Sequence, residues 1–439
     1  MLDILAHRTY RHLFAAQVIA LIGTGLATVA LGLLAFDLAG ENAGMVLGTA
    51  LAIKMIAYVG VAPVAAAFAE RLPRRTMLVT LDLVRAGVAL MLPFVSQIWE
   101  VYVLIFVLQA ASAAFTPTFQ ATIPDVLPQE KDYTKALSLS RLAYDMESLV
   151  SPMLAAALLT VIGFHDLFVG TVVGFLASAV LVVSVVLPAH LAPQRRGIYD
   201  RTTRGLRIYL ATPRLRGLLA VNAAVAAAGS MVFVNTVVIV QAGFGLTQSA
   251  VALALASFGA GSMVAALVLP RLLEKLADRS VMLGGIGLMV AGMFVGTLVV
   301  GHASLMALWF ALGLGYSTAQ TPSGRLLRRS SHPEDRPALF AAQFALSHAC
   351  WLLFYPLAGW LGTRYGMPAT FVVLGCAGAL SMWISSMVWP SHDPEVIEHE
   401  HPNLPTGHAH TQDATRAGVR HTHPFVIDDH HPNWPNLGG

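Results

Sequence analysis

The sequence predicts an all-α integral membrane protein, with about twelve transmembrane helices in two six-helix bundles. Three observations predict it. Apolar residues make up 56% of the chain and charged residues only 12%, a balance too apolar for a water-soluble fold. Apolar runs of roughly 20 residues recur along its length, which is what a hydrocarbon core about 30 Å thick requires of a helix. The longest polar break, 189–217, divides those runs six and six.

The first bundle (1–188) contains spans at 11–38, 44–68, 77–95, 99–121, 137–162 and 166–188. A basic linker follows at 189–214. The second bundle (215–390) contains 215–241, 249–270, 281–300, 302–321, 338–363 and 367–389, and a polar tail occupies 391–439. None of these runs alternates with the two-residue period of a membrane β-barrel. The opening "MLDILAHRTYRHLFAAQVIALIG" passes from a short basic start into a long span without a small-residue cleavage site, so the first helix is expected to be retained.

Orientation follows from Lys and Arg, which are retained on the cytoplasmic side. With the N-terminus inside, Arg8, Arg11, the arginines at 71–75, Lys131, Lys135, the 195–216 stretch, Arg271, Lys275, Arg279 and the arginines at 325–336 all lie inside, leaving Arg364 outside. Both termini are thus expected in the cytoplasm. Cys350 and Cys376 fall within apolar spans on different helices, which asks for no disulfide. A net charge of +3 carries no message about nucleic acid, and no glycine-lysine phosphate loop is present to hold ATP. Enzyme chemistry is not expected.

A faint internal repeat supports the two bundles. "FAERLPRRTML" after the second span and "LADRSVML" after the eighth both place Ala-acid-Arg at a helix exit. Two similar halves around a midplane site are what alternating access requires, because one half can rock against the other. The chain here resembles the major facilitator superfamily over about residues 5–390, and within it the drug and siderophore exporters typified by the enterobactin exporter. The loop between its second and third helices usually reads Gly-x-Leu-Ala-Asp-Arg-x-Gly-Arg-Arg. This chain has "AAFAERLPRR", with Ala66, Glu70 and Pro73 in place of Gly, Asp and Gly. The stretches 115–142, 205–219 and 243–267 also look like this branch.

In that loop, Glu70 can cap a helix across the domain boundary while Arg71, Arg74 and Arg75 hold Asp82, Asp125 or lipid phosphate. Such a cluster, with Arg85, would latch the cytoplasmic gate. The plainer alternative is that the arginines only set orientation and bind anionic lipid. In the fifth span, antiporters of the superfamily carry Gly-Pro-x-x-x-Gly. "SLVSPMLAAAL" keeps Pro152 but has Ser151 and alanines instead of the glycines.

One turn earlier stand Arg141, Asp145 and Glu147, and ionisable groups at that depth are a functional hypothesis by default. Arg141 and Asp145 are four apart and can pair. Glu147 lies about 200° round the helix from Asp145. A carboxylate without a partner there can take up and release a proton, so Glu147 is the first candidate for proton coupling and Asp145 the second. The alternative puts all three in a wet cytoplasmic mouth.

Asp37, Lys54, Gln109, Asn222, Asn235 and His348 are the other polar residues expected to face the cavity. His348 can carry a proton, bind a soft cation or simply hydrogen-bond a neighbouring helix. Nine of the sixteen histidines follow the last span. Most are spaced as His-x-His or adjacent: His399 and His401, His408 and His410, His421 and His423, His430 and His431. Imidazole pairs favour nickel, cobalt, copper or zinc. The segment around them is rich in Pro, Asn and Asp and is expected to be disordered, building no core.

A His-rich tail on this fold resembles bacterial nickel-resistance permeases. The reading is a monomeric transporter of the bacterial inner membrane, with no required cofactor, exchanging protons for divalent nickel or cobalt gathered on the tail. Export of an amphiphilic drug or siderophore, with a regulatory tail, is the alternative. A non-transporting membrane sensor is a third.

Overall fold

A computed structural model of the chain describes residues 2–39, 43–69, 72–188, 197–394, 396–400 and 420–435. Among them the chain makes twelve helical passes, ten in separate helices and two in the limbs of one long helix. The first half runs α1 (Arg8–Ala39), α2 (Ala43–Ala69), α3 (Arg74–Met91), α4 (Ile98–Val126), α5 (Glu130–Leu158) and α6 (Leu167–Val183). A short helix, α7 (Ile198–Ala211), forms within the linker. The second half runs α8 (Pro213–Val237), α9 (Gln248–Leu272), α10 (Asp278–Val295), α11 (His302–Gln320), the short α12 (Ser323–Arg329) and α13 (Arg336–Val388). Gly366, at φ 79°, breaks α13 into its two limbs, a backbone conformation that a residue without Cβ adopts at no steric cost.

Eight of these helices, α13 among them, combine the length and apolarity that a membrane crossing needs. α5 is the informative exception. Its first turns carry Glu130, Lys131, Asp132 and Lys135, and its middle carries Arg141, Asp145 and Glu147. Packing inside the bundle, rather than hydropathy, keeps it helical.

Each half has its own core. In the first, α1 lies on α5 and α6, and α3 on α4 and α6. In the second, α8 lies on α13, and α11 on α9 and α10. Small residues let the backbones close. A Cβ on Gly261 would sit 2.0 Å from the Phe310 carbonyl oxygen, and one on Gly313 would sit 1.9 Å from that of Phe258, so α9 and α11 approach reciprocally. Between the halves, α5 meets α9 and α2 meets the first limb of α13.

One correction concerns the tail. Val396–Glu400 forms a strand, β1, paired antiparallel with β2, Arg420–Pro424, and the register sets His399 opposite His421. Ile397, Phe425 and Ile427 are buried in the core of the second half. Arg214, itself buried, reaches Asp393 and the Phe425 carbonyl oxygen and lies 4.9 Å from the Trp434 ring. Average composition concealed this. Short apolar clusters at 396–397 and 425–427 suffice to dock a hairpin once a bundle offers a surface, whereas a mean over fifty polar residues dilutes them.

Asp428 holds the second strand's exit. It accepts the backbone N–H groups of His430 and His431 at 2.8 Å, the His431 Nδ1–H at 2.8 Å, and His332 Nε2 of the α12–α13 turn at 3.3 Å. Burial pushes this carboxyl up, but the bonds from His332 and His431 outweigh it and hold it below the usual carboxylate range. The bond to Asp428 in turn raises the His332 imidazole above its ordinary 6.5. A raised histidine stabilises docking at low pH and loses that effect as pH climbs through its folded value. A depressed carboxylate stabilises docking above its ordinary 3.8 and loses that as pH falls below it. Docking should therefore be tightest between those limits. Amide hydrogens of 420–427, corrected for intrinsic exchange, should be a few-fold better protected at about pH 6 than at about pH 8.5, and His332→Ala should flatten the difference. Equal protection at both pH values would refute this account.

Candidate functional site

Where the halves meet, a cavity of about 470 Å³ opens between α1, α2, α4, α5, α11 and α13. Its aromatic wall consists of Tyr58, Tyr144, Tyr316, Phe344 and Trp351. Its larger polar groups are Lys54, Arg85, Gln120, Arg141, Glu147, Gln320, Gln343 and His348. Helical spacing presents them together: Lys54 and Tyr58 are i,i+4, as are Phe344 and His348, and His348 and Trp351 are i,i+3.

Arg141 and Asp145 form the expected pair, Nη2 to Oδ1 at 2.6 Å. The pair also does something the sequence did not reveal: it bridges the halves. Ser262 of α9 donates to Asp145 Oδ2 at 2.6 Å and accepts from Arg141 Nε at 3.1 Å. The guanidinium lies 4.3 Å from the Tyr316 ring centroid. With Asp145 only 3% exposed, this is an interlocked ion pair.

Glu147 is different. It lines the cavity on another face of α5, makes no hydrogen bond or ion pair with a described residue, and has Lys54 within Coulombic range. His348 donates from Nδ1 to the Phe344 carbonyl oxygen at 2.7 Å, which fixes its ring edge-on to Tyr58 at 4.7 Å. Lys54 Nζ stands 5.5 Å from the same Tyr58 ring.

Other expected cavity residues lie elsewhere. Asp37 is exposed at the end of α1, and Gln109 is half-buried on α4 outside the cavity wall. Asn222 bonds Gln343 at 3.4 Å, standing behind the wall rather than in it. Asn235 donates to the Ala358 carbonyl oxygen at 3.2 Å and ties α8 to α13. Polar side chains inside an apolar bundle must find partners, and for the two asparagines these are neighbouring helices. Tyr58, Tyr316, Gln343 and Trp351 were missed. For Tyr58 and Trp351 the available signal was i,i+4 spacing from Lys54 and i,i+3 spacing from His348; Gln343, five residues before His348, and Tyr316, on another helix, gave none.

Toward the face that carries the linker and tail, the cavity continues past Phe344 to Ile123, Tyr133, Gly324 and Leu327, and contacts between the halves flank it. Ala62, Ala113, Ala341 and Phe344 pack together across the halves, with Tyr58 against Phe344 at 4.9 Å. Beyond them, Asp125 of α4 is held by both Arg74 of α3 and Arg336 of α13. Lys131 reaches Glu274 at 3.0 Å, and Arg325 reaches Glu130 and Asp278.

The expected cluster therefore divides. Arg74 and Asp125 stand at the boundary. Arg75 donates to the Val183 carbonyl oxygen of its own half and touches neither acid. Asp82 pairs with Arg85 and accepts from Ser178 at 2.8 Å, with Arg85 between the Phe115 and Phe175 rings, so this pair ties α3 to α4 and α6. About two helical turns separate Asp82 from Arg74 and Arg75, too far for them to reach it. Glu70 and Arg71 lie outside the described residues.

The histidine-rich tail is described in part. His401, His408 and His410 lie outside the described residues, as do the side chains of His399 and His421. His423 bonds its neighbour's carbonyl oxygen at 2.9 Å, and His430 and His431 serve the Asp428 turn. Among the described residues no group of three or more His, Cys, Asp or Glu side chains could hold a metal ion.

Two helical halves and a cavity at their junction define a multi-pass membrane transporter fold. The chain belongs to the Major Facilitator Superfamily, whose family model matches residues 13–220 and again 218–412, once for each half. Curated relatives match part of it. An uncharacterized MFS-type transporter, YfiS, of Bacillus subtilis (strain 168) is 28% identical over 171 residues, 38% of this chain and 40% of that protein. The macrolide efflux protein A of Streptococcus pyogenes is 24% identical over 181 residues, 40% of this chain and 44% of that one. The chain thus spans less than half the length of these relatives.

Solved structures match throughout. The human organic anion transporter MFSD10 aligns with a TM-score of 0.75 at 10% identity, covering 86% of this chain and 99% of that one. A bacterial homologue of the iron transporter ferroportin, in its outward-facing state, aligns at 0.73 and 12% identity, covering 87% and 99%. At such identities the likeness is one of fold. Relatives and fold are those of transporters, not enzymes.

Proposed function

We propose that the protein exports an amphiphilic organic solute carrying an aromatic group and a cationic centre, exchanging it for protons at Glu147. The observation that carries this reading is the cavity itself: about 470 Å³, walled by tyrosines and Trp351, with one carboxylate that no described residue pairs. That volume is of the size that takes drug-like molecules, and rings stack on such walls. A cation on the solute and a proton compete for one carboxylate, which is the minimal chemistry of an antiporter. Lys54 favours release by offering Glu147 another partner once the solute has left. Similarity to a macrolide efflux protein supports an organic cargo.

A divalent metal cargo finds less support here. The described residues supply no convergent donor set, and Cys350 is not in the cavity wall. The tail keeps a separate role. The register of His399 opposite His421 supports a seat for nickel, cobalt, copper or zinc that regulates the transporter or feeds it.

The halves rock about the cavity, and the Arg74–Asp125–Arg336 group holds the linker-side face shut while solute leaves by the opposite face. The test uses purified protein in proteoliposomes under an imposed pH gradient. Rhodamine 6G movement is followed in one arm and nickel, by a sealed metal-sensitive dye, in the other. Saturable, gradient-dependent rhodamine transport without nickel flux is expected. Nickel flux without rhodamine transport would overturn the organic reading in favour of metal export, and no flux of either, in protein whose tail binds nickel, would leave a sensor.

A further inference from the structure

We propose that the linker-side face contains a binding site for a phosphate group, set between the halves and beneath the docked tail. It does not depend on which solute crosses the membrane. A second cavity, of about 320 Å³, is lined by four arginines, Arg325, Arg328 and Arg329 of α12 and Arg336 of α13, against two carboxylates, Glu130 and Asp278, with Tyr133 of α5 and His332; Pro424 and Val426 of the tail form one side.

Its charge is unbalanced. Arg325 has Glu130 and Asp278. Among the described residues, Arg336 shares Asp125 with Arg74, and Arg329 shares Asp393 with Arg214. Arg328 has no acidic partner among the described residues. It donates to the Pro128 carbonyl oxygen and lies 5.6 Å from the Tyr133 ring.

The unsatisfied atoms around the cavity specify the ligand's polarity. Tyr133 Oη, Arg329 Nε and Arg336 Nε are buried without a hydrogen-bond partner among the described residues. Tyr133 as a whole is 1% exposed. Arg325 Nε and Asp278 Oδ1 face each other at 2.9 Å, so that pair is answered electrostatically. Guanidinium nitrogens can only donate, and a buried donor left unmet is costly. A ligand with acceptors in several directions and negative charge answers all three, which describes a tetrahedral phosphate better than a planar carboxylate. Because its donors come from both halves, the site is complete only while this face is closed, and its occupant holds the face shut.

A phosphate group can come from a soluble compound or from an anionic lipid headgroup. The probe is pyrophosphate, titrated calorimetrically at low salt into the full-length protein in phosphatidylcholine nanodiscs. One saturable site is expected. Arg328→Gln should weaken it about ten- to hundredfold, the worth of a charge-assisted hydrogen bond, and Tyr133→Phe should weaken it less. Arg216→Gln, an exposed control, should bind as the unaltered protein does. Neither Arg328 nor Arg216 is needed to neutralise a buried acid, so both variants should fold. No saturable binding, or equal binding by Arg328→Gln, overturns the proposal. Repeating the titration in nanodiscs containing phosphatidylglycerol distinguishes the sources: undiminished binding assigns the site to soluble phosphate compounds, and displacement by the lipid assigns it to headgroups.

Discussion

Replacing Glu147 with Gln is expected to uncouple export from the pH gradient. The protein should still insert and fold, because the amide keeps the shape of the carboxyl and no described residue loses an ion pair. Gradient-driven rhodamine 6G movement in proteoliposomes should fall to that of protein-free vesicles. Exchange of labelled for unlabelled solute at equal pH should persist at a reduced rate, since walls made of Tyr58, Tyr316 and Trp351 remain. Asp145→Asn should behave differently. It leaves Arg141 buried without its charge partner, an error of about 3–5 kcal/mol in a buried pair, so it should lower the melting temperature rather than selectively uncouple. If Glu147→Gln transports under the gradient at the unaltered rate, the coupling role assigned to this carboxylate is wrong.

The second large effect is expected at Asp125. With this face closed it is the anion between two guanidiniums, of Arg74 and Arg336, from opposite halves. Asp125→Asn removes the charge that, among the described residues, the two guanidiniums share there. Once the face opens, each arginine meets water on its own half and the repulsion disappears. Closure therefore loses stability selectively, by about 1.4–3 kcal/mol after allowing for the hydrogen bonds that Asn retains, or roughly ten- to hundredfold in the ratio of states. Single cysteines at Thr116 and Ser347, both in the cavity wall, should then react faster with a membrane-impermeant reagent supplied from the linker side. Unchanged labelling would show that the Asp125 group does not hold this face shut. The same comparison with Arg75→Ala should show no shift, because Arg75 holds the Val183 carbonyl oxygen instead.

The two effects rest on different parts of one machine. Glu147 lines the cavity, where the proposed function shares it between proton and solute. Asp125 lies at the boundary, where the proposed gate pairs it with arginines of both halves. Arg141 and Asp145 show how close the two can lie. They are on the same helix as Glu147, yet Ser262 and Tyr316 draw them into the contact between halves.

Residue type and spacing made much of this legible. The twelve passes follow from apolar runs, because in hydrocarbon a backbone must satisfy itself and a helix does so within one segment. The Arg141–Asp145 pair follows from i,i+4 spacing, and the isolation of Glu147 from its angle on the helix. Such statements are local, and a helix carries its local geometry wherever it packs. The outcome at Asp82, Arg85, Asn222 and Asn235 was not local. Each is a polar side chain whose partner sits on another helix, and one chain read in order gives no distance between helices. The tail shows the same limit from the other side: Ile397 and Phe425 are too few to form a core, and become buried only because the second half presents a surface to them. Sequence alone thus determined that this is a two-bundle membrane protein and which helix carries its charges. Tertiary structure decided which charges face the cavity, which pair across the boundary between the halves and which tie helices together, because the partners of a buried polar group are set across space.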